Sequence, residues 1–597
     1  MVIETEKITD RDKMIHGKNP SGVFYIAGII VLIFVIWGAL APETLNRVAV
    51  NGLVWMIENF GWFYMLITAF FVAFAIFLAV SPYGKIKLGK DDEEPHFSWV
   101  SWVGMLFAAG IGVGFVFWGV AEPILYYMDP PQGISPETSQ SAAAGIRYGA
   151  YHWGLHPWAI FSLVGLTLAY VQYKKGLPAL ISSAFYPLIG DRVNGITGRV
   201  IDILAVIATS TGVATTFGLS AMQISGGLSH ITGIPNTAMT QIIIIFIVTI
   251  LFMFSAAAGV DKGIKRLSNL NLGVAGLLLL FVIIAGPTVF IFESMVTTLG
   301  GYITNLVSMS LTLTPFSDSE WLGRNTIFFW AWHISWAPFM GIFIARISEG
   351  RTIREFMTGV LLIPSALAII WFSAFGGTAL YVELFGDGGI SELVTSQVEL
   401  ALFATLSALP FSSITTILAV ILILVFFITS ADSASYVLGA MTSSGRLNPK
   451  MWVKLAWGFL IAGTASVLLL SGGGGLVALQ TASIITALPF AFIMIVMIVS
   501  VMIMLSEDLK NLNKVQREKQ EAHVQRKIQK KLGDRMRYLV KKEMSEELYN
   551  ELKEETISKS KEELYEDIKE EIYDDLKQEI YQEVIEEIEE TIENDKK

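Results

Sequence analysis

One stretch of the sequence, Trp330–Phe339, concentrates aromatic side chains in the middle of an apolar segment. At about 100° of rotation per helical residue, Trp330 points away from the other rings. The shared face carries Trp332, Trp336, Phe339 and Phe343, with His333 at its edge. Ring faces attract cationic groups, above all quaternary ammonium groups. Because lipid-facing Trp prefers the membrane interfaces, the stretch predicts a lined cavity at bilayer depth. The alternative is that the rings fill the core of a helix bundle.

A second aromatic face occurs earlier in the chain, in the stretch Trp153–Phe161. Trp153, Trp158 and Phe161 fall within about 140° of one another on a helical wheel. Two such faces in one bundle can close a cage, in which desolvation raises the attraction for a cation to about 2 kcal/mol or more. The pair of faces therefore favours a ligand-binding box over simple packing. His156 and Pro157 are interpreted as serving helix geometry and hydrogen bonding.

Alternating glycines mark a third stretch, Gly110-Ile111-Gly112-Val113-Gly114. Glycine in a helix interior costs about 1 kcal/mol relative to alanine, so this run predicts an interrupted helix. An interruption frees backbone carbonyls for a cation and lets the backbone approach a ligand, and within a membrane it is tolerated where it lines a cavity. The alternative is close helix packing through small residues. Glu122, in the same segment, is predicted to lie at the outer surface, so a proton relay is the less favoured role.

Hydroxyl side chains that could bind a cation form the fourth feature of the sequence. The stretch Phe426–Ser433 contains Thr429, Ser430 and Asp432. Oxygen donors suit a hard cation such as Na⁺ better than a soft metal, and carboxylates within membrane spans are costly and usually functional. The alternative is that the hydroxyls bond back to carbonyls of their own helix. A further polar strip, Thr209–Thr216, either forms a second ion site or holds helices together.

The composition shows which elements must position these residues. Of the 597 residues, 53% are hydrophobic and 16% are charged. Apolar runs of about 20 residues, the length that crosses a bilayer, recur along the chain. An all-α polytopic membrane protein is therefore predicted. The absence of cysteine excludes disulfides, thiolate metal sites and cysteine nucleophiles. No nucleophile–base constellation stands out among the seven histidines, which argues against an enzyme.

Twelve membrane spans are predicted. Loops after the even-numbered spans hold most of the Lys and Arg residues, as at 85–90 and 346–354. By the positive-inside rule both termini are cytoplasmic in a cell-membrane protein. Two stretches, near 293–313 and 389–408, are interpreted as surface helices outside the membrane. The predicted spans lie near 22–41, 61–81, 99–121, 142–172, 196–224, 236–257, 267–292, 323–347, 357–382, 411–440, 451–471 and 476–504.

Six segments follow from these spans. They are a cytoplasmic N-terminal segment (1–20), two peripheral spans (21–98), a group of five spans (99–292), a surface helix on the periplasmic or extracellular side (293–322), a second group of five spans (323–505) and a cytoplasmic tail (506–597).

The tail carries most of the net charge of -11. Residues 507–542 contain 12 basic and 5 acidic residues, whereas residues 543–597 contain 7 basic and 22 acidic ones. Apolar residues recur every four positions from Leu564 to Ile592. Four steps of about 100° overshoot one turn, so this stripe drifts around the helix and forms no heptad seam. A long helix is predicted, with its basic part on anionic lipid and its acidic part on the cationic loop 346–354. The alternative is a solvated helix that only aids solubility.

Together these motifs resemble the betaine/choline/carnitine transporter family over roughly residues 20–505. The resemblance implies that spans 3–7 and 8–12 form two inverted repeats of the leucine-transporter type. It also implies a homotrimer and alternating access around a site at the membrane midplane. A small zwitterionic solute, Na⁺ and membrane lipids are the expected partners, and nucleic acid is not. The motifs are Gly110–Gly114 followed by Ala121-Glu122-Pro123, Trp153–Phe161, Trp330–Phe339, Ala345–Phe356 and Thr429–Ser433.

Carried over by position, the resemblance assigns a solute site and two Na⁺ sites. Members of the family that do not depend on Na⁺ place a Met or a basic side chain where the cation would sit, so the hydroxyls here favour Na⁺ coupling. At the second ion site Val213 stands where the family has a hydroxyl. The solute site comprises Trp153, Trp158, Phe161, Trp332, His333 and Trp336 with the backbone at Gly110, Gly112 and Gly114; the first ion site comprises backbone oxygens of Ala108, Ile111 and Phe426 with the hydroxyls of Thr429 and Ser430; the second comprises Thr209, Thr216 and the ring of Phe339.

Two departures from the family pattern bear on the solute. Phe161 replaces a tyrosine and His333 replaces a tryptophan. Imidazole weakens the electronegative cage and adds hydrogen-bonding capacity, which a trimethylammonium group cannot use but a cyclic amidine with N–H donors can. The expected function is Na⁺-coupled import of a compatible solute under osmotic stress, with ectoine or hydroxyectoine favoured and glycine betaine close behind. Choline or carnitine transport is the alternative within the family, and a channel or a solute sensor is the alternative outside it.

Overall fold

The computed structural model describes residues 20–257, 261–316, 320–446, 448–471 and 475–551, together with Lys577. The chain divides into two compact units, Met1–Leu505 and Ser506–Lys597. All residues predicted to bind solute or ion belong to the first unit. The N-terminal segment up to residue 19 and the apolar stripe from Leu564 to Ile592 lie outside the described residues.

The predicted all-helical architecture is confirmed, since the described residues form no β-strand beyond one isolated bridge between Lys87 and Thr352. The helices are labelled α1 to α17, and single turns are left without labels. They are α1 Gly22–Leu40, α2 Pro42–Val80, α3 Trp99–Gly110, α4 Val113–Met128, α5 Ser139–Trp153, α6 Leu155–Ala169, α7 Ile196–Thr232, α8 Ala238–Ala257, α9 Asp261–Ala285, α10 Thr288–Leu311, α11 Phe328–Ile347, α12 Ile353–Phe385, α13 Ile390–Ser396, α14 Ala401–Ser407, α15 Ser412–Met441, α16 Met451–Leu470 and α17 Leu476–Glu551.

Membrane-length helices dominate the first unit. Within the described part of the chain, nine helices are long and apolar enough to cross a membrane, or up to eleven if each of two bent pairs is one span. The polytopic character is therefore confirmed, while the exact count of twelve and the inverted repeats stay predictions. Ala238–Phe254 is a shorter apolar stretch at the position of the sixth predicted span. The second helix starts at Pro42, well before the predicted residue 61.

The seventh span was predicted to end at residue 292, and this end point is wrong. Helix α9 ends at Ala285, and α10 starts at Thr288 with its axis turned by 110°. Pro287 lies at this bend, and proline lacks an N–H group and disfavours helical geometry in the residue before it. The surface helix therefore begins at Thr288, before the predicted residue 293.

Helix α11 packs more extensively on α6 than any other pair of described helices. Small residues allow this close approach: a Cβ atom added to Gly341 would lie 2.5 Å from Cγ1 of Val164 and 3.1 Å from the backbone nitrogen of Gly165. Small residues at a crossing let two backbones come together within a membrane. Phe161 lies one turn before Gly165, and His333 lies about two turns before Gly341, so the crossing brings the two aromatic stretches together.

The loop after α2 pairs with the loop between α11 and α12. The backbone nitrogen of Leu88 donates to the carbonyl of Arg351 at 2.8 Å. The guanidinium of Arg351 lies 4.2 Å from the ring centroid of Trp102 and donates to the carbonyl of Phe97 at 2.9 Å. Arg351 is only 3% exposed. The charge of Arg351 is thus buried against Trp102. Nearly all of the acidic part of the tail lies outside the described residues, so its docking on this loop stays a prediction.

Candidate solute and ion site

The glycine run interrupts the third span, as predicted. Helix α3 ends at Gly110 and α4 begins at Val113, with a bend of 57° between them. Ile111 adopts φ -87° and ψ 110°, and Gly112 is fully extended at φ -143° and ψ -174°. Two consecutive residues have thus left the helical conformation inside a membrane-length segment.

The interruption removes the helical hydrogen-bond donors of two backbone carbonyls. Across the break, Ile111 N donates to Phe107 O at 3.2 Å and Val116 N donates to Gly112 O at 3.3 Å. Gly112 N does not donate to the carbonyl oxygen of Ala108, and Phe115 N does not donate to that of Ile111, as both would in a continuous helix. These are two of the oxygens that the family resemblance assigns to Na⁺, and such groups need a partner where water is scarce.

The structure brings the aromatic residues of α5, α6 and α11 into one buried cluster. The ring of His333 meets Trp153 at 5.2 Å between centroids and Phe161 at 5.7 Å, both edge to face. Trp332 lies 5.7 Å from Trp153, and Trp158 lies 5.5 Å from Phe161. None of these five side chains is more than 9% exposed. Edge-to-face contacts of this kind hold rings in defined orientations, so the cluster can present fixed ring faces to a ligand.

The broken helix lies directly against these rings. A Cβ atom added to Gly114 would come within 2.1 Å of Cη2 of Trp153, and one added to Gly110 would lie 3.6 Å from Cζ2 of Trp158. A Cβ atom on Gly112 would meet nothing within 4 Å. The extended backbone at Gly112 therefore borders open space, whereas its two neighbouring glycines support the rings.

Trp332 and Trp336 have a different role from the other rings. Both indole N–H groups donate to the carbonyl of Gly212 on α7, at 3.2 and 2.9 Å. Trp336 also contacts Phe339 at 5.1 Å between ring centroids. The structure thus places Trp336 and Phe339 against α7, away from the Trp153 cluster, and Trp332 touches both regions.

Three of the four hydroxyls of the two predicted ion sites, those of Thr429, Thr209 and Thr216, bond back to their own helices. Thr429 donates to the carbonyls of Val425 at 2.9 Å and Phe426 at 3.2 Å. Thr209 donates to Ala205 at 2.8 Å and Thr216 donates to Gly212 at 3.4 Å. Each hydroxyl oxygen keeps lone pairs with which it can bind a cation. Back-bonding and ion binding are therefore compatible, and these contacts favour neither.

The residues predicted for the first ion site come from two neighbouring parts of the structure, the broken third span and α15. Phe426, Thr429 and Ser430 are on α15, which packs against α4, and α4 begins two residues after Ile111. All three α15 residues are half-buried. The fifth member, Ala108, is on α3.

Glu122 is buried beside the cluster, and its predicted location at the outer surface is wrong. It is 0% exposed, and its carboxylate accepts hydrogen bonds from Nδ1 of His152 and Nε1 of Trp153, both at 2.8 Å. The apolar run ends near residue 121, but α4 continues to Met128 with Pro123 inside it. His152 was missed; its signal in the sequence is a histidine next to a tryptophan of the aromatic face.

His156 serves packing and hydrogen bonding, as predicted. Its ring stacks on Trp330 at 4.7 Å with an interplanar angle of 18°, and Nε2 lies 3.0 Å from Oγ of Ser310. Trp330 lies on this side of α11, next to Tyr151, and so points away from the cluster around Trp153.

Comparison with known proteins identifies the chain. The model of the betaine/carnitine/choline family transporters matches residues 22–510. The chain belongs to this family. As a member of the family it is a multi-pass membrane transporter and not an enzyme. The family match ends at residue 510, so most of the tail lies outside it.

Several curated members of the family are similar over nearly their whole length. The chain is 49% identical over 502 residues to the glycine betaine transporter OpuD of Bacillus subtilis, which covers 84% of this chain and 97% of that protein. It is 45% identical to the ectoine/hydroxyectoine transporter of Virgibacillus pantothenticus, over 82% of this chain and 97% of that protein. A probable glycine betaine transporter of Desulfitobacterium hafniense is 42% identical, over 82% of this chain and 98% of that protein.

The contact between Gly114 and Trp153 yields a prediction. Gly114→Ala should weaken solute uptake about tenfold, because the added methyl group overlaps the indole and overpacking costs about 1–3 kcal/mol. Solute concentration at half-maximal uptake by proteoliposomes measures the effect. The matched control is Gly104→Ala on α3, where an added Cβ meets nothing within 4 Å. Equal uptake by both variants would contradict the assigned position of Trp153.

Proposed function

We propose that this transporter imports a zwitterionic compatible solute together with Na⁺ by alternating access. The observation that carries the proposal is the contact between the buried aromatic cluster and the broken third span. The cluster offers electronegative ring faces to a cationic group, and the break offers the carbonyl oxygens of Ala108 and Ile111, which have lost their helical donors. Beside both, Gly112 borders open space.

A zwitterion fits this arrangement because its two ends find opposite partners. The cationic end binds the rings of Trp153, Trp158 and Phe161 by cation–π attraction. Helix α4 starts at Val113 next to these rings and runs for 16 residues. The N-terminus of a helix carries free N–H groups and the positive end of the helix dipole, so the carboxylate end lies towards the backbone of Gly112 and Gly114.

Na⁺ completes the broken segment in this proposal. Its ligands are the carbonyl oxygens of Ala108, Ile111 and Phe426 with the hydroxyls of Thr429 and Ser430. A bound ion fixes the backbone on which the solute rests, so that each ligand raises the affinity for the other. A second Na⁺ site at Thr209, Thr216 and Phe339 is a weaker candidate, because Val213 offers no oxygen where the family has a hydroxyl.

His333 favours ectoine or hydroxyectoine as the solute. It is 5% exposed, and its polar neighbour is the backbone of Phe329 one turn earlier. No hydrogen bond of normal geometry joins Nδ1 to any described group. A buried polar atom without a partner costs free energy, which a solute with N–H donors can recover. Glycine betaine is the second candidate, since the relative with 49% identity carries that name.

The assembly and orientation are also proposed. The chain forms a homotrimer in the cell membrane with both termini in the cytoplasm, as the family resemblance and the concentration of Lys and Arg in alternate loops suggest. The basic segment 507–542 is proposed to contact anionic lipid.

Counterflow in proteoliposomes tests the function itself. Purified protein should exchange labelled ectoine or glycine betaine, and net accumulation should require an inward Na⁺ gradient. Protein-free liposomes and a K⁺ gradient are the controls. Conduction without exchange would favour a channel, and binding without uptake would favour a sensor.

Thr429→Ala tests the first ion site. Loss of one hydroxyl ligand should raise the Na⁺ concentration at half-maximal uptake about tenfold, equivalent to about 1.4 kcal/mol. Thr415→Ala is a matched control, because Thr415 lies on the same helix and bonds back in the same way, to Phe411 and Ser412 at 3.3 and 3.0 Å. An unchanged Na⁺ dependence in Thr429→Ala would remove Thr429 from the site.

His333→Trp tests the role of the imidazole. The substitution removes the ring nitrogens and enlarges the electron-rich face, so the ratio of glycine betaine uptake to ectoine uptake should rise about fivefold, equivalent to about 1 kcal/mol. Competition between the two labelled solutes measures the ratio. His333→Phe separates loss of hydrogen bonding from gain of ring area. A ratio that stays constant in both variants would refute the proposed preference.

A further inference from the structure

A buried carboxylate, that of Glu122, contacts Trp153 of the proposed solute site but is not itself part of that site. Glu122 is on α4, is 0% exposed, and has both oxygens engaged: Oε2 with Nδ1 of His152 and Oε1 with Nε1 of Trp153. Removing a carboxylate from water costs several kcal/mol unless hydrogen bonds replace the lost hydration. Ionisable residues within membrane-spanning segments are rare and usually have a role.

The same cluster joins three of the helices that form the site. His152, on α5, is 0% exposed, and its Nε2 atom lies 3.0 Å from Oγ1 of Thr326, which precedes α11. With Glu122 as the acceptor, Nδ1 of His152 carries the proton and Nε2 accepts from the Thr326 hydroxyl. The His152 ring also stacks on Phe329 at 4.7 Å with an angle of 15°. One chain of hydrogen bonds therefore links α4, α5 and the start of α11.

Trp153 depends on this chain for its orientation. It is the last residue of α5, and Gly154 interrupts the helix immediately after it, at φ -93° and ψ -129°. Trp153 therefore lacks a continuous helical backbone on its C-terminal side. The indole is held instead by Gly114 beneath its ring and by the hydrogen bond from Nε1 to Glu122. In this position the Trp153 ring meets the ring of His333 edge to face, with 5.2 Å between the ring centroids.

We propose that Glu122 and His152 are positioning residues for solute binding, acting through Trp153. They make no contact with the solute. Glu122 anchors the indole N–H, so that Trp153 presents its ring and not its N–H group to the solute, and His152 with Thr326 fixes the carboxylate. This inference rests on the proposed function, because it assigns to Trp153 a place in the solute site.

A double-mutant cycle tests the inference. Uptake kinetics are measured for the wild type, Glu122→Gln, Trp153→Phe and the double variant. Glu122→Gln should raise the KM for solute at least fivefold and leave the maximal rate within twofold, because only binding is affected. In the Trp153→Phe background, which lacks the indole N–H, adding Glu122→Gln should change KM less than twofold. An equal effect of Glu122→Gln in both backgrounds would overturn the proposal.

Two controls separate positioning from general damage. Asp202→Asn alters another buried carboxylate of the membrane unit, one that accepts from the backbone and hydroxyl of Ser182 at 2.9 and 2.8 Å, and it should leave KM unchanged. If Glu122→Gln fails to fold, Thr326→Val replaces it in the same cycle. Thr326→Val should raise KM about fivefold, equivalent to about 1 kcal/mol for one net hydrogen bond, and only when Trp153 is present. A KM increase that persists with Phe at 153 would overturn the proposal.

The cycle also distinguishes this inference from the proposed function. If the wild type takes up no zwitterionic solute, the proposed function fails. If the wild type takes up solute but the two substitutions act independently, only the role of Glu122 and His152 fails.

Discussion

The constraint on which the structure depends is that a backbone inside a membrane must satisfy its own hydrogen bonds. The third span departs from it at Ile111 and Gly112, where the regular series of helical hydrogen bonds is interrupted and the carbonyls of Ala108 and Ile111 lose their helical donors. Such a defect is tolerated only where it is buried in protein or lines a water-filled cavity. The rings of Trp153 and Trp158 pack against the flanking glycines, so that the interruption and the aromatic cluster stabilise each other.

The sequence was sufficient for the features that lipid and periodicity dictate. Bilayer thickness sets the length of apolar runs, and alternating glycines weaken a helix, so the membrane-length helices and the break were predictable, while the count of twelve spans stays a prediction. Hydropathy does not reveal a bend inside an apolar stretch, which is why α9 and α10 were divided wrongly near Pro287. Nor does it reveal the burial of a charge by distant partners. Arg351 is covered by Trp102, and Glu122 by His152, and neither pairing has a signature in local sequence.

Aromatic content alone is a poor guide to which rings face a ligand. Trp330 stacks on His156, and Trp336 is tied to the Gly212 carbonyl, although both lie in the most aromatic stretch of the chain. Helical periodicity correctly separated Trp330 from its neighbours. It could not separate Trp336 from Trp332, because that difference depends on where α7 crosses α11.

The crossing of α6 and α11 has a consequence for the motion of a transporter. Gly165 and Gly341 leave no gap between these helices, so Phe161 and His333 are expected to move together. Trp153 belongs instead to the segment between Gly112 and Gly154, the two residues at which the helical backbone is interrupted. Because glycine accepts a wide range of backbone torsions, a transport motion would displace Trp153 relative to Phe161 and His333 most readily by rotation at these two glycines.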